Sequence, residues 1–197
     1  MASDIFTEKK IAGVDEVGRG SWAGPVVSAA VILGSFTDVN VLKDSKKLSR
    51  LHRENIFKKL KDKAYLGIGF ASVSEIEKHN ILKATFLSMR RAVASLPIIP
   101  GHIMIDGPVV PEELENRATP IVKGDQLVPE ISAASIVAKV VRDNHMALLN
   151  QKYPGYFWDR NSGYGVKAHF QALKTLGVSP SHRRSFKPIH KMLYEEN

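Results

Sequence analysis

The sequence contains no cysteine and no long apolar run, and each absence excludes a class of protein. Without cysteine in its 197 residues, the chain can form no disulfide, no thiolate zinc site and no cysteine nucleophile. Its longest largely apolar run covers residues 23–33, well short of the ~18 to 20 residues that span a bilayer. The first residues carry early acids and no apolar signal core. We therefore expect a soluble protein in the reducing cytoplasm, with no membrane contact.

Two common catalytic motifs are missing as well. The sequence has no G-x-x-x-x-G-K-[ST] loop, which disfavours an ordinary P-loop nucleotidase, and it has no G-x-S-x-G elbow. Positive charge, in contrast, is in excess, because 28 lysines and arginines stand against 20 acids and give a net charge of +8. A basic surface attracts polyanions, so nucleic acid is the first partner to consider. Charge alone is weak support, since many basic proteins bind nothing acidic.

The order of the predicted elements indicates an α/β protein. Strands are predicted at residues 11–14, 25–33, 65–73, 102–106 and 119–122. Helices are predicted at residues 49–64, at 80–97 and from 129 onward, where Ser49, Asn80 and Pro129 are suited to helix starts. A meander of strands followed by alternating helices and strands is typical of a mixed central sheet flanked by helices. From about residue 153 the pattern becomes irregular and then helical, with a helix that ends at Gly177.

The stretch Ile11-Ala-Gly-Val-Asp-Glu-Val-Gly-Arg-Gly20 carries two adjacent acids at the end of the first predicted strand. Neighbouring side chains in a regular strand point to opposite faces, so Asp15 and Glu16 can share one site only if the strand ends or bulges there. Gly18 and Gly20 make such a break inexpensive and let a ligand approach the main chain. The alternative is an ordinary hairpin turn with solvated charges.

Four acids stand where predicted strands end: Asp15, Glu16, Asp106 and Asp125. Ligands bind beyond the strand ends of an open α/β sheet, so these residues can converge there. Taken singly, Asp106-Gly107 is also a common turn pair, and Asp125 can cap the next segment. Clustered carboxylates repel one another unless a cation neutralises them, and oxygen ligands suit Mg²⁺ or Mn²⁺. Two such ions can activate a water and stabilise the leaving oxygen in phosphodiester hydrolysis.

Seven motifs in this order make the chain resemble ribonuclease HII, the type 2 ribonuclease H, over nearly its whole length. They are Asp15-Glu-Val-Gly-Arg-Gly20, Asp44-Ser-Lys-Lys-Leu48, Ile105-Asp-Gly107, Lys123-Gly-Asp125, Ser132-Ala-Ala-Ser-Ile-Val-Ala-Lys-Val-Val-Arg-Asp143, Ser162-Gly-Tyr-Gly165 and His182-Arg-Arg-Ser-Phe186. The resemblance implies a ribonuclease H-like fold in one catalytic domain, residues 1–197. Residues from about 153 to 197 would form its helical substrate-binding part.

The resemblance further implies an endoribonuclease that acts on RNA–DNA hybrids and on ribonucleotides embedded in duplex DNA. The family cuts on the 5′ side of the ribonucleotide and leaves 3′-hydroxyl and 5′-phosphate ends. By motif, the metal-binding catalytic acids are Asp15, Glu16, Asp106 and Asp125. The turn formed by Gly18, Arg19 and Gly20, called here the Gly-Arg-Gly turn, looks like the element that senses the ribose 2′-hydroxyl. Tyr164 resembles the family tyrosine at the ribonucleotide–deoxyribonucleotide junction.

Several residues keep two interpretations at this point. Tyr164 can instead be an aromatic plug between two turn glycines. The basic side chains expected to meet phosphates can equally be solvated charges; they are Lys46, Lys47, Arg183 and Arg184. Asp143 follows Lys139 by four residues on a helix, so an ion pair is favoured over a metal ligand. His182 can assist the reaction, but packing or a phosphate contact is favoured.

We expect a monomer that needs Mg²⁺ or Mn²⁺. Two rival functions remain open from the sequence. A junction resolvase of the same broad fold could share the acid cluster, but the Gly-Arg-Gly turn and Tyr164 argue against it. A non-catalytic nucleic-acid-binding module is favoured only by charge, and four acids beside a polyanion site would repel phosphate there.

Overall fold

A computed structural model describes residues 10–42 and 48–194, and its centre is a five-stranded mixed sheet. The strands are β1 (Ile11–Val17), β2 (Val26–Ile32), β3 (Tyr65–Ala71), β4 (His102–Asp106) and β5 (Ala118–Ile121), in the order β3-β2-β1-β4-β5. β1, β2 and β3 form an antiparallel meander, whereas β4 and β5 run parallel to β1. The mixed sheet and the meander predicted from the sequence are confirmed.

Helices cover both faces of this sheet. They are α1 (Arg50–Lys63), α2 (Val73–Ala94), α3 (Gly124–Leu127), α4 (Pro129–Lys152), α5 (Trp158–Asn161), α6 (Lys167–Leu176) and α7 (Lys187–Tyr194), with 3₁₀ turns at Val39–Leu42 and Glu112–Arg117. α4 and α1 pack on the face that carries Ala29 and Val31, and α2 packs on the face that carries Val14 and Ala30. None of the helices in the described part of the chain has the length and apolar character needed to cross a membrane.

α4 lies unusually close to β1, and a glycine makes this possible. A Cβ atom on Gly13 would stand 2.1 Å from the carbonyl carbon of Glu130, in the first turn of α4. Real side chains never approach a main chain so closely, so only glycine lets strand and helix meet here. The contact fixes α4 against the strand that carries Asp15 and Glu16.

α2 begins earlier than the sequence predicts. Ser72 caps it at Val73 through a capping box with Glu75, and the helix is then interrupted at Asn80, whose φ of 68° and ψ of 168° are not helical. Asn80 Oδ1 accepts hydrogen bonds from the N–H groups of Leu82 and Lys83. Asn80 is therefore a cap, as predicted, but for the second of two helical segments.

The C-terminal helices pack against the end of α4 around a cluster of their own. Trp158, Leu173 and Ile189 are buried there against Ala23 and Met146. Ser49 caps α1, Pro129 begins α4 and Gly177 ends α6, as the sequence predicts. This packing brings the segment before α6 next to the segment between β1 and β2.

Candidate active site

An open pocket of about 410 Å³ lies where β1 and β4 end, and it collects most of the residues singled out from the sequence. Its walls are formed by Asp15, Glu16, Val17, Gly18, Arg19, Gly20, Arg53, Asp106, Ser135, Ile136, Lys139 and Tyr164. Three of the four predicted acids, the whole Gly-Arg-Gly turn and Tyr164 are thus brought together. β1 and β4 are parallel neighbours, so their ends reach the same edge of the sheet.

β1 delivers its two acids without the break that the sequence led us to expect. The strand continues to Val17 and stays paired with β2, so the expected end or bulge at Asp15 and Glu16 is wrong. Its parallel ladder with β4, however, stops at the pair Val14 and Ile105. Beyond that point the β4 side of β1 is open, and both acids reach the pocket from a regular strand.

Asp15 occupies an unfavourable electrostatic position. Its side chain is 6% exposed, which excludes a solvated turn charge. Burial raises the pKa of Asp15 well above its usual value, and repulsion from Glu16 and then Asp106 raises it further. Hydrogen bonds from the Ser135 side chain and from the Glu16 N–H group, 2.7 Å from Asp15 Oδ1, oppose this shift.

Glu16 lies beside both an acid and a base. Burial raises its pKa above the ordinary value, and Asp106 adds to this rise. Arg19 acts in the opposite direction through an ion pair of 3.3 Å between its Nη1 and Glu16 Oε1. The Gly-Arg-Gly turn therefore touches the acid cluster directly.

Asp106 and Asp125 are joined through the main chain of α3. Asp106 Oδ1 accepts from the N–H groups of Gly124 at 2.7 Å and Asp125 at 3.4 Å. Asp125 is buried in the first turn of α3 and is not part of the pocket wall. The structure therefore places it next to Asp106 and behind the pocket surface.

The chemistry of these acids suits a hard cation. Within residues 10–42 and 48–194, no group of three or more acidic or histidine side chains is arranged to hold a metal ion. The donors are nevertheless all carboxylate oxygens, and three carboxylates within one pocket repel one another. A divalent cation with a preference for oxygen would remove that repulsion.

The Gly-Arg-Gly turn and Tyr164 form one side of the pocket. Gly18 has a φ of +94°, and a Cβ there would stand 2.1 Å from Nε of Arg142. At Gly20 the nearest atom to such a Cβ is a Tyr164 ring carbon at 3.9 Å, so there is space beside the ring. Tyr164 is 36% exposed and lines the pocket, so part of its ring is open to a ligand.

Two buried histidines support the Tyr164 loop from behind. Nδ1–H of His169 donates to the Tyr164 carbonyl at 2.9 Å, so Nε2 of His169 is an acceptor and stands 3.0 Å from His182 Nε2. His182 Nδ1 in turn accepts from the Ser179 N–H group at 2.9 Å. Burial lowers the pKa of both histidines, and together with His169 it lowers the pKa of His182 to about 3. His182 is thus a packed residue, as favoured from the sequence.

The four predicted phosphate-binding residues have different positions. Lys46 and Lys47 lie outside the described residues, and Arg184 is exposed. The phosphate contact predicted for Arg183 is wrong, because its side chain is fully buried and cannot meet a phosphate. Its guanidinium donates to main-chain carbonyls instead, and burial, followed by repulsion from Arg142, lowers the pKa of Arg183 to about 9.

Sequence reasoning missed three polar side chains of the pocket wall. Arg53 reaches it from α1, while Ser135 and Lys139 reach it from α4. Ser135, Lys139 and Arg142 are spaced by four and three residues, so they share one helix face, which is a pattern readable in the sequence. Lys139 Nζ pairs with Asp143 Oδ1 at 2.8 Å, which confirms the ion pair predicted for Asp143.

Comparison with known proteins relates the chain to one family. The family model for ribonuclease HII matches residues 12–191. The ribonuclease HII of Roseobacter denitrificans is 51% identical over 188 residues, which is 95% of each chain. The crystal structure of ribonuclease H2 from Pyrococcus horikoshii has a TM-score of 0.79 at 28% identity and covers 95% of this chain and 99% of that one.

A more distant likeness concerns the fold alone. The structure of Bst-RNase HIII in complex with Mn²⁺ has a TM-score of 0.69 at 19% identity, over 93% of this chain and 68% of that one. The family model covers far more than half of the sequence, and the identity to Roseobacter denitrificans extends over almost all of it. With these matches added to the ribonuclease H-like sheet and the pocket at its edge, the chain belongs to the ribonuclease HII family.

Proposed function

We propose that this nuclease is a divalent-metal-dependent endoribonuclease that acts by two-metal-ion catalysis. It would hydrolyse the phosphodiester on the 5′ side of ribonucleotides, in RNA–DNA hybrids or embedded in duplex DNA, and leave 3′-hydroxyl and 5′-phosphate ends. One observation carries the proposal. Asp15, Glu16 and Asp106 share a pocket whose rim is the Gly-Arg-Gly turn and Tyr164.

The acids are the groups that would hold Mg²⁺ or Mn²⁺. Asp15, Glu16 and Asp106 would do so from the pocket wall, and Asp125 from its place beside Asp106. When bound, such ions supply positive charge that activates a water and stabilises the leaving oxygen of the phosphodiester. The raised pKa of Asp15 supports this assignment, because burial and two neighbouring carboxylates disfavour its ionised form, and a bound cation would remove that penalty.

The turn and the tyrosine would distinguish ribose from deoxyribose. Gly20 has no side chain and leaves space next to the Tyr164 ring, so a sugar can approach the main chain there. Tyr164 offers a flat ring and one hydroxyl to a sugar edge. The 2′-hydroxyl is the group that lets a protein tell RNA from DNA at one position.

Basic side chains around the acids would hold the duplex. Arg53 and Lys139 line the pocket and Arg184 is exposed. Phosphate contacts of this kind position a duplex without reading its sequence. The C-terminal part from about residue 153 would contribute to this surface as the substrate-binding part. The monomeric state and the cytoplasmic location stay predictions.

The experiment compares two duplexes that differ in one 2′-hydroxyl. We expect the enzyme with Mg²⁺ or Mn²⁺ to nick a DNA duplex on the 5′ side of a single ribonucleotide, and to leave it intact in chelator. The matched all-DNA duplex should stay uncut. Equal cutting of both duplexes would exclude the assigned specificity, and binding without cutting would favour the non-catalytic module.

The matched variant is Asp106→Asn, which keeps the shape of the side chain and removes its negative charge. We expect the rate of cleavage to fall by a factor of about 10² or more, since the removed charge belongs to the carboxylates that would hold the metal ions. Duplex binding should remain, because the basic surface is unchanged. Normal turnover in this variant would exclude Asp106 from the reaction.

A further inference from the structure

Two arginines that have no part in the proposed chemistry are fully buried behind the pocket. They are Arg142 on α4 and Arg183, which lies between α6 and α7. Together they donate six hydrogen bonds, every one to a main-chain carbonyl, and five of the six acceptors lie in residues 18–25. This segment, called here the rim segment, includes the Gly-Arg-Gly turn.

Arg183 holds the turn itself. Its Nη2 donates to the carbonyl of Gly18 at 2.6 Å, and its Nη1 donates to that of Arg19 at 2.8 Å. In a trans peptide the N–H group points away from the preceding carbonyl. Because both carbonyls face Arg183 in the interior, the N–H groups of Arg19 and Gly20 face the opposite way, towards the pocket side.

Arg142 ties the rim segment to the Tyr164 loop. Its Nε and Nη2 donate to the carbonyls of Pro25 and Ala23 in the rim segment at 2.9 and 3.1 Å. Its Nη1 donates at 2.8 Å to the carbonyl of Ser162, two residues before Tyr164. The guanidinium carbon lies 5.7 Å from the centre of the Tyr164 ring. One side chain therefore joins the rim segment, which includes the Gly-Arg-Gly turn, to the Tyr164 loop.

This arrangement is expensive for the fold. Burial of a guanidinium carries a large desolvation penalty, which hydrogen bonds to neutral carbonyls offset less than an ion pair would. Neither guanidinium forms an ion pair with a carboxylate in the described part of the chain. The two also repel each other, since Arg142 lowers the pKa of Arg183. Buried charges that lower the stability of the fold are typical of functional sites.

We propose that Arg142 and Arg183 are positioning residues for ribonucleotide recognition. They orient the N–H groups of the Gly-Arg-Gly turn towards the pocket and lock that turn to the Tyr164 loop, without touching the substrate themselves. This inference rests on the proposed function and extends it to two side chains buried behind the pocket. Its experimental consequence is a defect in turnover without a defect in general duplex binding.

The principal variant is Arg183→Lys, which keeps the positive charge but cannot donate in the fork geometry of a guanidinium. We expect kcat on the single-ribonucleotide duplex, per folded molecule, to fall by about 10- to 100-fold, because a misplacement of ~1 Å costs about that much. The Kd for the all-DNA duplex, measured in chelator, should stay within about twofold since phosphate contacts set it. A merely structural role would lower the folded fraction and leave kcat per folded molecule unchanged.

The matched control is Arg91→Lys. Arg91 also donates to a main-chain carbonyl, that of Phe70 at 2.7 Å, but it lies on α2 outside the pocket wall. We expect kcat of this variant to equal that of the wild type. A similar loss of kcat in both variants would show that replacing any carbonyl-bonded arginine by lysine damages the enzyme. That result would overturn the proposal.

A second variant approaches the same contact from the turn. Gly18→Ala places a methyl group against Nε of Arg142 and strains a φ of +94°, so it disturbs the contact between the turn and this guanidinium while both arginines stay in the sequence. We expect the same loss in kcat with unchanged Kd for all-DNA duplex. A wild-type kcat per folded molecule in either Arg183→Lys or Gly18→Ala would overturn the inference. Wild-type enzyme that cuts no ribonucleotide would instead refute the proposed function.

Discussion

Asp15 lies almost buried between Glu16, Asp106 and Ser135, and its environment favours the protonated carboxyl. Burial, with repulsion from the two neighbouring acids, raises its pKa well above the ordinary value. The unfolded chain titrates near pH ~3.9. Because the folded pKa is the higher one, the stability contributed by the bound proton is present below about pH 4 and is lost as the pH rises through the folded pKa. Near neutral pH, the carboxylate is therefore a cost to folding.

We expect Asp15→Asn to be inactive and more stable than the wild type at pH 7 in chelator, because asparagine has no proton to lose. Each kcal/mol gained should raise Tm by about 2–4 °C in a chain of this size. The difference should vanish below about pH 4, and Mg²⁺ or Mn²⁺ should raise Tm more for the wild type. Calorimetry across pH gives the measurement. The control is Asp62→Asn, at an exposed position on α1. A lower Tm for Asp15→Asn than for the wild type at pH 7 would contradict the view that the Asp15 carboxylate destabilises the fold.

Arg183 and Arg184 mark how far single residues can be interpreted from the sequence. Both are basic neighbours in one motif, and both were expected at phosphates, yet one is fully buried and the other is exposed. Arg183 is buried because its side chain faces the rim segment, whereas that of Arg184 does not. That is a tertiary contact across more than 150 positions in the sequence, and no local pattern encodes it.

At the scale of elements, α2 consists of two helical segments that meet at Asn80. A φ of 68° with a ψ of 168° is almost restricted to glycine and costs about 1–3 kcal/mol for other residues. The Asn80 side chain compensates by capping the second segment through Leu82 and Lys83.

We expect Asn80→Gly to change the free energy of unfolding by only a few tenths of a kcal/mol, since glycine relieves the backbone strain while losing the cap. Asn80→Ala keeps the strain and loses the cap, so it should destabilise by about 1–2 kcal/mol. Urea unfolding of the two variants measures both values. Asn144→Ala, at an exposed position inside α4, is the control and should be neutral or slightly stabilising. Equal stability of the glycine and alanine variants at position 80 would contradict this account.

The boundaries of α2 and β1 were the least predictable parts of the elements. The apolar spacing from Leu82 onward predicts the second segment of α2, but the seven residues from Val73 to His79 hold three charges and show little periodicity. β1 continues to Val17 because β2 pairs with it from Gly13 to Val17. Such pairing is a long-range constraint, whereas the helix caps at Ser49 and Gly177 are local and were predicted correctly.

The connection between α6 and α7 should be sensitive to acid. His182 is buried and neutral, and its pKa is lowered to about 3 by burial and by His169. An unfolded histidine titrates near ~6.5. Because the folded pKa is depressed, this contribution to stability is present above pH ~6.5 and is lost as the pH falls towards about 3.

We expect His182→Asn to have a lower Tm than the wild type at pH 7, because hydrogen bonds to Ser179 and His169 are lost or weakened. Its Tm should fall less steeply between pH 6.5 and pH 4, since one titrating group is gone. His52→Asn, at an exposed position on α1, should keep the wild-type slope. A variant at His182 with the wild-type slope would exclude this residue as a source of acid sensitivity.

In the whole molecule, distant parts of the chain assemble the candidate site through the sheet topology. β1 and β4 run parallel and side by side, so Asp15, Glu16 and Asp106 reach one edge, as strand-end reasoning predicted. Asp125 is the exception. It follows β5 in the short helix α3, which places it behind Asp106. The sequence predicts that the acids lie near strand ends, but whether each acid reaches the pocket surface depends on packing.

The number of phosphates contacted by the basic surface of this chain, whose net charge is +8, determines the salt dependence that we expect. Duplex affinity should fall with salt, with a log–log slope of about −0.9 for each phosphate contacted. All-DNA and single-ribonucleotide duplexes of equal length present the same phosphates. Their slopes in chelator should therefore be the same, although only one duplex is cut when metal is added.

The neighbouring arginines provide a matched test of that surface. If the exposed Arg184 meets one phosphate, Arg184→Ala should reduce the magnitude of the slope by about 1 for both duplexes. Arg183→Lys should leave the slope unchanged, because the side chain at this position is buried and its partners are carbonyls. Titration of duplex at several salt concentrations measures both slopes. An unchanged slope for Arg184→Ala would remove it from the phosphate-binding surface, and a changed slope for Arg183→Lys would mean that duplex binding reaches the interior of the rim segment.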